Sequence, residues 1–179
     1  MLTIIVPERE YYDEEKGEFA RSKEATLQLE HSLVSLSKWE AKWNKPFLSS
    51  DNKTEEEILD YIRCMTITQN VNKNIYYRLS RDNITKINEY INLPMTATTF
   101  SEKDNARNRD IITAEIIYYW MISLNIPLEC QKWHLNRLLT LIKVCSIKNS
   151  PPKKMTKREI MSRNRALNAS RKRALGSRG

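Results

Sequence analysis

Glycine is nearly absent from this chain of 179 residues: of three in all, Gly17 stands alone until Gly176 and Gly179 at the very end. Loops that cradle a phosphate on successive backbone amides need glycine to reach positive φ, so nucleotide-hydrolysis motifs are excluded. Cysteine is sparse too. Cys64, Cys130 and Cys145 are an odd set without close pairs, which fits a reducing compartment better than a disulfide framework. The first ten residues show no basic stretch ahead of a long apolar run, so no secretory signal is expected. The longest apolar segment, Ile111 to Leu124, has 14 residues, includes Glu115 and is followed by Pro127. A membrane span needs about 20, and no membrane partner is expected. His31 and His134 are the only histidines, and neither stands beside a serine or cysteine in a nucleophile motif. A catalytic triad would need assembly from distant segments, so both are expected to be structural and the chain is not expected to be an enzyme.

What is present is positive charge, concentrated at one end. From Lys148 onward eleven basic residues face one acid, Glu159, leaving 19 basic and 21 acidic residues for positions 1–147 of totals of 30 and 22. The overall pI near 9.4 therefore reports the tail, and any affinity for acidic partners is expected to reside there. The size suggests one domain, residues 1–148, followed by a basic flexible tail, residues 149–179.

Hydrophobic periodicity predicts a mainly α-helical, compact domain with a small N-terminal antiparallel β element. Leu2 to Val6 is a β-branched run stopped by Pro7, and Thr26 to Leu33 alternates, with Leu27, Leu29 and Leu33 on one face. Glu8 to Glu24 is expected to be their charged connection, with Gly17 within it. Leu36, Trp39, Ala41 and Trp43 then form a short amphipathic helix ended by Lys45-Pro46. Thr54 and Glu57 make a capping box ahead of Ile58, Leu59, Ile62 and Met65. Ile84, Ile87 and Ile91 mark another helix before Pro94, and Met95 to Asn108 reads as a surface loop. Ile111 to Leu124, apolar nearly all round, predicts a central buried helix, paired in a hairpin with the helix carrying Trp133, Leu135, Leu138, Leu139, Ile142 and Cys145. Asn149-Ser-Pro-Pro152 ends the fold. The tail beyond has helix-forming residues but few apolar ones, Ile160, Met161, Leu167 and Leu175, so alone in water it is expected to be largely disordered.

Three constellations could carry chemistry. Cys130 and His134 lie a turn apart, with Cys145 and Cys64 available to complete a zinc site, but structural zinc prefers closely paired ligands and buried cysteines in helical cores are commoner. Asp13-Glu14-Glu15-Lys16 resembles a metal-dependent nuclease cluster only superficially, since such runs usually solvate a loop. No metal or cofactor is expected. Trp39 and Trp43 stand at i and i+4, near Phe47 and beside Lys38 and Lys42. Such a set either docks a partner or packs the edge of a core. Lys153, Lys154, Lys157, Arg158, Arg163, Arg165, Arg171, Lys172 and Arg173 form the basic cluster. With no aromatic side chain in this stretch to stack on bases, the cluster suits plain phosphate contacts or folding onto a protein. These nine and Trp39, Trp43 and Phe47 are the candidate partner-binding residues.

Several stretches, in order, resemble the tail assembly chaperones of long-tailed bacteriophages. They are Ser35 to Phe47 (Ser35-Leu-Ser-Lys-Trp-Glu-Ala-Lys-Trp-Asn-Lys-Pro-Phe47), Glu55 to Met65, Met95-Thr-Ala-Thr98, Glu115 to Leu141 with Cys130-Gln-Lys-Trp-His-Leu-Asn136, and Asn164 to Gly179. The resemblance covers most of the chain. It implies a non-enzymatic helper, encoded ahead of the tape measure gene and working in the host cytoplasm, that keeps the tape measure protein soluble until tube subunits polymerise around it. It also implies a second, frameshifted longer product and allows a homo-oligomer. Two other readings differ in class: a nucleic-acid-binding accessory protein using the basic arm, and a structural tail or connector protein retained in the virion.

Overall fold

The structure, a computed structural model, describes residues 1–13, 18–49, 52–100, 111–150 and 156–176. The chain divides into two compact units, Met1–Ser146 and Ile147–Gly179. The first is mainly helical with strands at its N-terminus.

Four strands open it: β1 (Leu2–Val6), β2 (Arg9–Asp13), β3 (Glu18–Ser22) and β4 (Ala25–Leu29). β1 pairs antiparallel with β4 and β2 with β3, in one continuing register from Leu2 opposite Leu29 to Asp13 opposite Glu18. Pro7 and Glu8 lie at the break, where proline cannot donate a rung. The expected connection is therefore largely a second ladder; Glu14 to Gly17 lie outside the described residues. The second expected strand is shorter than its alternation suggests. β4 stops at Leu29, His31 follows in an irregular turn, and Ser32 caps a helix that begins at Leu33.

Among the described residues the helices of this unit are α1 (Leu33–Trp43), α2 (Glu55–Met65), α3 (Arg81–Asn92), α4 (Ala114–Ser123) and α5 (Leu135–Asn149), the last three residues of which fall in the second unit, with 3-10 turns at Lys73–Arg78 and Leu128–Lys132. α1 starts on a reciprocal Ser32–Ser35 cap and ends at Asn44, whose left-handed φ of 52° brings its N–H onto the Glu40 carbonyl at 2.8 Å. Asn tolerates that conformation better than most residues. Thr54 and Glu57 cap α2 reciprocally, as the sequence predicts.

Two apolar cores result. In one, Ile4, Val6, Leu27 and Leu29 from the ribbon meet Trp39, Tyr61, Ile62, Met65, Ile87 and Tyr90. In the other, Leu33 and Leu36 meet Ala114, Ile117 and Met121 of α4, Ile126 and Cys130, and Leu135, Leu138 and Ile142 of α5. α1 contributes to both, so it, and not an α4–α5 hairpin, is central. α4 also departs from expectation. Only Ala114, Ile117 and Met121 are buried, while Tyr119 and Ile122 are about two-thirds exposed, at 66% and 67%. Residues 93–100 are irregular, in keeping with a loop; 101–110 lie outside the described residues.

In the second unit, α6 (Lys157–Leu175) replaces much of the expected disorder. Thr156 and Glu159 cap it reciprocally, and Gly176, at φ 61°, closes it in the left-handed conformation that glycine adopts without strain. No residue of α6 is buried.

Candidate functional site

The aromatic triplet belongs to the first core. Trp39 is fully buried and its Nε1 donates to the Glu57 carbonyl at 2.8 Å. Half-buried Trp43 donates from Nε1 to Asp60 Oδ2 at 2.9 Å. Phe47 stacks on Tyr61 at 3.8 Å between centroids and meets the Trp39 ring edge-on at 5.0 Å. Of the two readings, these contacts match core packing: the Trp-rich stretch is the joint between α1 and α2, because two tryptophans one turn apart find apolar walls and indole acceptors on α2.

That joint is held by buried carboxylates. Glu40 accepts from Phe47 N at 2.8 Å and from Ala114 N at 2.7 Å, tying α1 to the next turn and to the start of α4. Glu57 accepts from Lys45 Nζ at 2.5 Å and from Thr54 N at 2.8 Å. The lysine contact, followed by the Thr54 backbone, holds its carboxyl below the usual range. Burial pushes Asp60 upward, but hydrogen bonds from Lys42 and Trp43 and the charges of Lys42 and Arg63 outweigh it, leaving its pKa lowered.

Both histidines are buried and in contact, their rings 5.1 Å apart. His31 Nδ1 is 2.6 Å from the Tyr61 hydroxyl. His134 donates from Nε2 to the Tyr90 carbonyl at 3.0 Å and accepts at Nδ1 from Asn136 N at 3.3 Å, which fixes one neutral tautomer. Burial, then the neighbouring His134, pushes the His31 pKa down to about 3; burial also lowers that of His134. The pair joins the end of β4 to the start of α5, where Leu135 N donates to the His31 carbonyl at 2.7 Å. Among the described residues, no three His, Cys, Asp or Glu side chains converge to hold a metal; Cys130 and His134 each pack separately into core.

What remains for a partner is exposed. Within the body, Tyr119 and Ile122 occupy one face of α4, and Ile111 and Leu128 are exposed near its two ends in sequence. Periodicity hid this face because α4 is apolar on both sides. Within the tail, α6 carries Lys157, Arg158, Arg163, Arg165, Arg171, Lys172 and Arg173, all exposed. Arg158, Arg165 and Lys172 recur every seven residues, two turns apart, along one side. Ile160, Leu167 and Ala174 recur likewise on another side, next to Met161 and Leu175. Lys153 and Lys154 lie outside the described residues. The Thr156-x-x-Glu159 cap was the sequence signal for this helix. No described helix is long and apolar enough to cross a membrane.

Comparison with family models, curated proteins and solved structures finds no match for this chain.

Proposed function

We propose that the chain is a non-enzymatic tail assembly chaperone of a long-tailed bacteriophage, acting in the host cytoplasm to bind the tape measure protein and keep it soluble. The resemblance of the Trp-rich, Cys130 to Asn136 and Asn164 to Gly179 stretches supports it. The observation that carries it furthest is α6, a nineteen-residue helix with no buried residue and four exposed large apolar side chains among seven cations. A helix so poor in burial gains little from its own chain and is suited to completing itself on an acidic, helical client. Free of the client it exchanges between helix and coil, which reconciles its capped ends with its polar composition. The α4 face offers a second, apolar contact, and self-association or pairing with a frameshifted longer form can use the same surfaces.

The stripe of Arg158, Arg165 and Lys172 favours one other reading, a nucleic-acid-binding accessory protein. Salt separates the two. Client binding measured at low and moderate ionic strength is expected to fall only severalfold, whereas contacts to several phosphates lose orders of magnitude. Reversing the stripe with Arg158→Glu, Arg165→Glu and Lys172→Glu is expected to weaken capture of the tape measure protein. Unchanged capture, or capture of nucleic acid alone, would remove the chaperone reading of α6.

A further inference from the structure

We propose that the outer edge of β4 is a strand-addition site for an extended peptide bearing an acidic side chain. This site does not rest on the chaperone reading. Within β4, alternate residues turn their backbone groups away from β1. Gln28 is one: its carbonyl accepts from Ile67 N at 2.8 Å and its N–H donates to Thr68 Oγ1 at 2.9 Å. Glu30, two further on, donates to the Met65 carbonyl at 2.9 Å. The segment from Met65 to Thr68 thus already bridges to this edge in the antiparallel sense, through Thr66 opposite Leu29.

It then leaves. Asn70, at φ 57°, turns the chain away, and the next outward position of β4, exposed Thr26, faces a groove of about 790 Å³. On the β1 side the corresponding outward group is covered, since Asn83 Nδ2 donates to the Ile5 carbonyl at 3.2 Å. At Thr26 the outer edge of β4 therefore stays open. Ala25 and Val71 give the groove apolar walls for alternate side chains of an incoming strand. Three cations line it, Arg21, Lys23 and Arg78, against two carboxylates, Glu10 and Glu24. Arg21 is paired with Glu8 at 2.6 Å, so exposed Lys23, three residues before Thr26, is the cation placed to meet an acidic side chain of the strand. Its volume suits a short peptide and lies within the range of ordinary ligand sites.

The test titrates the ¹⁵N-labelled full chain with two acetylated, amidated hexapeptides, Val-Thr-Val-Glu-Val-Thr and Val-Thr-Val-Lys-Val-Thr. The glutamate peptide is expected to bind with Kd near or below about 1 mM, to shift the amides of residues 23–27 and 68–72, and to slow exchange of the Thr26 amide. The lysine peptide is expected to bind at least about threefold more weakly. Thr26→Pro removes the outward donor without removing a rung to β1, since proline is tolerated at an edge, and is expected to abolish binding. Should that variant fail to fold, Lys23→Glu decides, by erasing or reversing the preference for glutamate. No shift in these residues at about 5 mM peptide would overturn the proposal. So would shifts without protection of Thr26, or dimerisation without peptide that Thr26→Pro abolishes, because the edge would then serve a second copy.

Discussion

Among single residues, Glu40 gathers the most. Its two oxygens satisfy backbone donors of Phe47 and Ala114, so both cores depend on one buried carboxylate. Glu40→Ala orphans both donors and is expected to cost about 2–4 kcal/mol in urea unfolding, the usual scale for losing charge-assisted hydrogen bonds; a loss within error would show that water replaces it. The histidine pair sets a pH response. The folded chain holds His31 near 3 against an ordinary 6.5, so between those values the unfolded chain takes up a proton that the folded chain refuses. Stability is therefore full above pH 6.5 and falls as pH drops through the window. Glu57 and Asp60, lowered in the fold, add a loss below the normal carboxylate range, in the same direction. Urea midpoints that stay flat from pH 7 to pH 5 would contradict the buried neutral pair. The sequence marked Trp39, Trp43 and Phe47 as one cluster. Whether they faced solvent or core was not legible, because the apolar walls and Asp60 that receive them lie on α2.

Where local signals were strong, whole elements were readable. The Thr54–Glu57 cap, the stripe of α3 and the α1 stop each combine period with punctuation, and each lies where expected. The ribbon was readable only in part: β2 and β3 are charged, and their pairing depends on a register inherited from β1 and β4. On α4, periodicity misled, since an all-apolar helix looks central while the face carrying Tyr119 and Ile122 is open. Tyr119→Lys with Ile122→Lys is expected to change stability by less than about 0.5 kcal/mol, as for other surface sites, while weakening client capture. A large destabilisation would show that the face is internal. For α6, removing the cap with Thr156→Ala costs about 1 kcal/mol, so amides in its first turns are expected to exchange about fivefold faster. Unaltered exchange would mean that the cap does not hold the helix.

At the scale of the molecule, charge divides the sequence into a near-neutral body and a basic tail, and the compact units part at Ser146. Helicity of the tail depends on capping more than on burial, which is why composition alone pointed to disorder. Both cores lie in residues 1–146. Deleting residues 150–179 is therefore expected to leave the thermal midpoint of the body unchanged while weakening capture of the tape measure protein. The most direct measurement of the central claim is co-expression of the full chain with the tape measure protein, followed by sizing chromatography at moderate salt. A soluble complex, with the partner precipitating when expressed alone, is the result the chaperone reading predicts. A partner that still precipitates, with this chain eluting on nucleic acid that high salt removes, would contradict it.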